Sequence, residues 1–158
     1  MVFEHTFCQY CLRCCINTEM ILLRSDIERI SRYGFDPTHF AEKRGRFIKL
    51  KNVDNHCVFL DPQSRRCTIY EIRPLGCRLY PLIYVEGIGV TLDSECPLSR
   101  YWMSRCDELE TGLKQLEEFL MRLEIEYRYR VDWRLFNSSK ASLLSMCKDH
   151  RYLSPSTP

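Results

Sequence analysis

The chain has 158 residues, with 23 Lys and Arg against 21 Asp and Glu, a net charge of +2, and ten cysteines. That length predicts one domain able to bury about two-thirds of its unfolded surface, so no metal is needed merely to compensate for a small core. The near-balanced charge excludes a bulk electrostatic case for nucleic acid, and cysteine at about 6% is too sparse for a secreted disulfide scaffold yet well above ordinary intracellular usage.

The N-terminus, MVFEHTFCQYC, shows neither a basic n-region nor an apolar h-region, so no signal peptide is expected. Apolar runs such as Met20 to Leu23 and Leu82 to Val85 fall far short of the roughly 18 residues of a membrane span. The expected location is therefore cytoplasmic and off the membrane, where thiols stay reduced and a cysteine pattern points to metal rather than disulfides. The organising stretch is Cys8, Cys11, Cys14 and Cys15, a CxxCxxCC run. A disulfide needs Cα atoms about 4.4–6.8 Å apart with facing Cβ vectors, which adjacent Cys14 and Cys15 fit poorly. Thiolates two residues apart on a tight turn instead converge on one soft ion, as in zinc and iron–sulfur sites.

In chain order, Ser25-Asp26-Ile27-Glu28 predicts a capping box and Gly34 a stop, with Leu23, Ile27 and Ile30 as the buried stripe of a short helix. Asp36-Pro37 starts a second, running to about Lys43. Phe47 to Lys51 reads as a strand, Asn52 to Asn55 as a turn, and Cys57 to Leu60 as a strand. Asp61-Pro62-Gln63-Ser64 then turns the chain back through Arg66-Cys67-Thr68, leaving Cys57 and Cys67 near each other across a hairpin. Pro74 breaks the extended run, so a helical turn precedes Cys77. Leu82 to Glu86 and Gly89 to Asp93 form another hairpin through Gly87. Leu109, Leu113, Leu116, Leu120, Leu123 and Tyr127 then form the seam of a long amphipathic helix, with Glu110–Lys114 and Glu118–Arg122 pairs on its solvated side. A last helix, capped by Ser138 or Ser139, contains Leu143, Leu144 and Cys147.

The fold class expected is α+β: a small cysteine-rich metal-binding core with short hairpins, flanked by short N-terminal helices and a long C-terminal amphipathic helix. One domain over 1–150 comprises the cysteine-rich core at 7–97 and a helical part at 98–150, and 151–158 forms a mobile tail. Cys57, Cys67 and Cys77 are spaced by ten, and Cys96 precedes Pro97, which with the first four makes eight candidate ligands. They could form two four-thiolate sites or one larger cluster with spare cysteines.

These motifs resemble the CxxCxxCC, or YkgJ-like, cysteine-cluster family of zinc- or iron-chelating domains. The likeness runs from Phe7 to Asn137, through CxFLD at Cys57 to Asp61, CxIYExRPxxCRxYP at Cys67 to Pro81, and Cys96-Pro97. It departs where the family places an aromatic two residues before the first cysteine, here Thr6, with Phe7 directly before Cys8. The resemblance implies a metal or iron–sulfur site. Some members are flagellin lysine N-methylases, so an enzyme modifying a protein side chain is the alternative to an electron-transfer or assembly module working with a protein partner or larger complex. No catalytic residue is named, and oligomeric state stays open.

Cys8, Cys11 and Cys14 followed by Cys96-Pro97 have the three-plus-one spacing and trailing proline of ferredoxin-type sites. This favours an iron–sulfur cluster, 4Fe-4S, over Zn2+, although four thiolates suit either. The simplest partition groups Cys8, Cys11, Cys14 and Cys96 in one site and Cys15, Cys57, Cys67 and Cys77 in another. Arg73 and Arg78, flanking Cys77, are expected to donate to ligand sulfurs and offset their charge. Tyr70, Tyr80 and Pro81 are read as a packing lid, Asp61 as a turn residue, His56 as a minor candidate ligand, and His5, His39 and His150 as surface. Cys106 and Cys147 are read as buried free thiols.

Overall fold

The computed structural model describes Phe3 and residues 5–153. The chain is α+β, combining helices with four two-stranded antiparallel hairpins among the described residues. Its described residues divide into two compact units, one built from residues 5–78 together with Arg122–Tyr129, the other from Phe3, Leu79–Met121 and residues 130–153.

The first unit carries most of the cysteines. It opens with α1 (Cys8–Cys11), a 3-10 turn (Arg13–Cys15), α2 (Arg24–Arg32) and α3 (Pro37–Phe40). Three hairpins follow: β1 (Ala41–Arg44) with β2 (Phe47–Leu50), β3 (Asn52–Val53) with β4 (His56–Cys57), and β5 (Leu60–Asp61) with β6 (Arg66–Cys67). Leu22, Ile30, Phe40, Leu50, Phe59 and Ile69 form its core with Cys57, and Cys15, Cys67 and Cys77 pack against that cluster. The edge-on contact of Phe35 with Phe59, 5.2 Å between centroids, closes one side.

Several local expectations hold. Asp36 caps α3, its carboxylate accepting from Thr38 N at 2.7 Å, and Asp61 turns β5 into β6 by accepting from Gln63 N at 3.1 Å and Ser64 N at 3.3 Å. Others are corrected by pairing that local signals do not contain. The box on α2 is not Ser25 with Glu28: the helix starts at Arg24, and Asp26 accepts from Leu23 N at 3.1 Å, because the shorter carboxylate reaches back while remaining fully buried. The second helix ends at Phe40 rather than Lys43, since Ala41–Arg44 pairs antiparallel with Phe47–Leu50 around Gly45. Asn52 to Asn55 is not all turn: Asn52 and Val53 pair with Cys57 and His56, leaving a two-residue turn at Asp54 and Asn55 with φ of 48° and 65°. Asp and Asn tolerate that left-handed conformation better than most residues. Cys57 to Leu60 divides between β4 and β5 instead of forming one strand.

The second unit contains β7 (Leu82–Val85) paired with β8 (Gly89–Leu92), α5 (Ser99–Met103), the body of α6 (Cys106–Tyr127) and α7 (Trp133–Leu153). The hairpin turns through Gly87 at φ 75°, as expected. Leu109, Leu113, Leu116 and Leu120 are buried along α6, so the predicted seam faces inward. Glu110 pairs with Lys114 at 3.2 Å, whereas Arg122, on the part of α6 that belongs to the first unit, turns to Glu126 one turn ahead at 3.7 Å rather than back to Glu118. α7 starts at Trp133, well before the expected serine caps, because Asp132 accepts from Leu135 N at 2.9 Å. Ser139 lies inside the helix and accepts from Val90 N of β8 at 2.8 Å. Cys106 and Cys147 are buried but not free: they form a disulfide joining α6 to α7. Of the tail expected at 151–158, residues 151–153 finish α7 and 154–158 lie outside the described residues, as does the side chain of His150.

Candidate metal centre

The CxxCxxCC run is two helical turns set at an angle. α1 carries Cys8 and Cys11, Leu12 takes a left-handed φ of 58°, and the 3-10 turn carries Cys14 and Cys15. A left-handed non-glycine residue costs roughly 1–2 kcal/mol, which burial of the Leu12 side chain offsets. Beyond Cys15 the chain is tied to the hairpin bearing Cys57. Ile16 bridges His56, Asn17 N donates to Asn55 O at 2.7 Å, and the Asn52 amide accepts from Thr18 N at 3.0 Å while donating to Thr18 O at 2.8 Å. Cys67 comes in on β6, opposite Leu60, and Cys77 on α4 (Leu75–Leu79).

Cys14, Cys15, Cys57, Cys67 and Cys77 are gathered closely enough to act on one another electrostatically. The Cys14 and Cys15 Sγ atoms are 4.0 Å apart. A hydrogen bond from Cys15 lowers the Cys14 thiol to about 7, against the effect of burial and with help from the Arg73 charge. Cys15 is shifted upward, first as the donor in that pair, then by burial and by charge on Cys14, Cys57 and Cys77. Burial pushes Cys57 up to about 11, with Cys67 and Cys14 adding to it. Burial likewise raises Cys67, and it raises Cys77 strongly, with Cys14, Cys57 and Cys67 reinforcing the shift. Arg73 opposes the rise on Cys67 and Cys77, making it the cation of this cluster. Its side chain is buried, with the guanidinium carbon 3.9 Å from the Tyr70 ring centroid.

Arg78 faces differently. Its neighbours include Arg29, Asp26 and Arg73 as well as Cys77, with burial lowering its pKa. The structure thus brings five predicted ligands within electrostatic reach of one another, with the Arg73 charge acting on Cys14, Cys67 and Cys77. Cys8 and Cys11 are half-buried on α1. Cys96 belongs to the other unit, where its amide donates to Asp93 O at 3.1 Å. Cys14 acts on Cys15, Cys57, Cys67 and Cys77, and α1, which carries Cys8 and Cys11, lies against β6, which carries Cys67. His56 Nδ1 lies 3.1 Å from the Cys57 carbonyl, a local contact. His5 Nδ1 accepts from Phe7 N at 3.1 Å, and exposed His39 packs edge-on against Phe59. Tyr70 packs as expected, beneath Arg73, whereas Tyr80 and Pro81 belong to the other unit.

The donor set is chemically uniform: thiols with an apolar core behind them and a buried guanidinium among them suit a soft ion or a cluster. Among the described residues, no group of three or more Cys, His, Asp or Glu side chains is arranged to hold a metal ion. Residues 7–108 match a family described as "Putative zinc- or iron-chelating domain". The chain belongs to the CxxCxxCC family. This membership carries zinc or iron chelation as its general function. The uncharacterized protein MJ0661 of Methanocaldococcus jannaschii is similar, with 28% identity over 95% of this chain and 88% of its own length. No solved structure matches this CxxCxxCC chain. No helix among its described residues is long and apolar enough to cross a membrane.

Sequence reasoning missed three residues that hold the thiol-bearing segments. Asn52, read as a turn, is the strap on Thr18. Asp26, read as part of a cap, is a fully buried carboxylate. Arg29 donates to the Ile72 carbonyl at 3.3 Å and the Arg73 carbonyl at 3.0 Å. Spacing by three on a helix is a signal for the Asp26–Arg29 pair, but nothing local announces carbonyl partners more than forty residues away.

Proposed function

We propose that this CxxCxxCC domain holds an iron–sulfur cluster, of the 4Fe-4S type, in preference to zinc, and serves as an electron-transfer or assembly module in the cytoplasm alongside a protein partner. The observation that carries the reading is the grouping of Cys14, Cys15, Cys57, Cys67 and Cys77, with Arg73 acting on Cys14, Cys67 and Cys77. The ligands are to be drawn from these five together with Cys8 and Cys11 of the same unit. A bound cluster would supply one-electron chemistry. The chain's own part is to present deprotonated thiols, offset their charge with Arg73, and limit water through the Phe59 and Ile69 side of the core.

Metal, iron and sulfide analysis of protein purified without oxygen tests this directly. Brown protein with matched iron and sulfide is expected, and colourless protein with stoichiometric zinc would reverse the choice of metal. Cys77→Ser should lose the metal and much of the fold, because binding free energy on the order of 10 kcal/mol is coupled to folding at thiolate sites. Retention of full metal by Cys77→Ser would remove Cys77 from the ligand set.

A further inference from the structure

The segment between Tyr70 and Cys77 must deliver both the cluster's cation and one of its thiols, yet it has little regular structure with which to hold itself. A 3-10 turn ends at Ile72, Pro74 has no amide hydrogen to donate, and α4 begins only at Leu75. The Ile72 and Arg73 carbonyls and the Leu75 amide therefore need partners from elsewhere. All three find them on α2. Asp26 Oδ1 accepts from Leu75 N at 3.0 Å and from Arg29 Nη2 at 2.6 Å, while Oδ2 accepts from Leu23 N at 3.1 Å. Arg29 in turn donates to Ile72 O at 3.3 Å through Nε and to Arg73 O at 3.0 Å through Nη2.

A wholly buried carboxylate is a poor stability device in itself. Desolvation costs several kcal/mol unless the charge is paired and hydrogen-bonded, and a well-packed apolar pair of similar volume often does as well. What the ionic pair supplies is direction: a planar guanidinium forking to two successive carbonyls fixes the turn in a way that apolar packing does not. The turn thus fixed carries Arg73 over Tyr70 and leads two residues past Leu75 to Cys77.

We propose that Asp26 and Arg29 are positioning residues, a brace on α2 that sets the Ile72–Leu75 turn so that Arg73 and Cys77 are presented to the thiol cluster. The role in metal retention rests on the function proposed above; the setting of Cys77 does not.

Arg29→Met, Arg29→Lys and Asp26→Asn are compared with the native chain for fold by circular dichroism, for release of the native metal to excess EDTA, and for the alkylation rate of Cys77 in metal-free protein, read by mass spectrometry. Residues that orient metal ligands typically contribute 10–100-fold in affinity. Arg29→Met and Asp26→Asn should therefore release metal at least about 10-fold faster while retaining their helix content. Arg29→Lys, which keeps the charge but not the fork, should recover part of the loss. Folded variants that melt earlier but release metal and alkylate Cys77 at native rates would overturn the proposal, reducing the pair to a structural contact. Should Arg29→Met not fold, Arg29→Lys and Asp26→Asn carry the same comparison. If the native chain holds no metal, the proposed function fails on its own. Faster Cys77 alkylation in the variants would still uphold the brace, and unchanged alkylation would overturn it.

Discussion

Replacing both Cys106 and Cys147 by Ala removes the disulfide between α6 and α7, and its effect follows from chain length. The bond closes a sequence separation of 41 residues. In the chain-entropy treatment the restriction on the unfolded state is about 13 cal/mol/K for a loop of that size, or about 4 kcal/mol at 25 °C. For a chain of this length 1 kcal/mol moves the melting temperature by roughly 2–4 °C, so the double variant should melt about 8–16 °C lower. Differential scanning calorimetry of the oxidised native chain, the same chain after reduction, and the double variant is the assay. Both half-cystines are almost wholly buried, so reduction should require partial unfolding and proceed slowly. Metal content should not change, since neither residue belongs to the thiol cluster. Equal melting temperatures for all three samples would refute the reasoning, as would ten alkylatable thiols in unreduced, denatured, metal-free protein. The second result would return Cys106 and Cys147 to the reduced-thiol state expected of a cytoplasmic chain.

Gly89 has φ +97°, and an added Cβ would lie 2.4 Å from Ser139 Oγ. Gly89→Ala should therefore lose about 2–4 kcal/mol in denaturant unfolding, combining backbone strain with loss of the Val90–Ser139 hydrogen bond; a change below 1 kcal/mol would show that β8 and α7 separate freely. Arg73→Leu should shift the site more than Arg78→Leu, because Arg73 is the cation that acts on Cys14, Cys67 and Cys77. For a one-electron cluster the shift is toward more negative potential, on a scale of about 60 mV per 1.4 kcal/mol; for zinc it is weaker binding at neutral pH. Voltammetry or chelator competition giving the opposite order would exclude Arg73 as the principal counter-charge. Glu19 is held below its ordinary pKa by its hydrogen bond from Lys49. A depressed folded pKa stabilises above the unfolded value of about 4.5 and is lost as pH falls through the folded one. Glu19→Gln should consequently flatten stability against pH in that acid range, and an unchanged profile would show that solvent screens the pair completely.

Local chemistry made much of this molecule legible from sequence. Asp36-Pro37 and Asp61-Pro62 act through side chains that reach backbone amides two or three residues away, and Gly87 supplies a turn for which neighbouring strands are sufficient. The Leu109 to Leu123 seam needs only helical periodicity. The family motif likewise marked the cysteines, with Arg73 and Arg78, as candidates, since its spacing is a property of the chain alone. Tertiary structure decided the rest wherever a group had several possible partners. Asp26 and Glu28 compete for the same helix start, and burial against Leu75 N and Arg29 chose the shorter acid. Asp132 outcompetes two serines for the start of α7, because Ser139 is held inside the helix by β8. Cys106 and Cys147 pair because α6 and α7 bring their Cα atoms to 5.7 Å. Cys14 joins the later thiols because Leu12 reverses the chain and Ile16 bridges His56. In each case the sequence named the donors and acceptors, while the choice among them depended on distances set by segments dozens of residues apart, and hydrogen bonds and thiol contacts act only at short range.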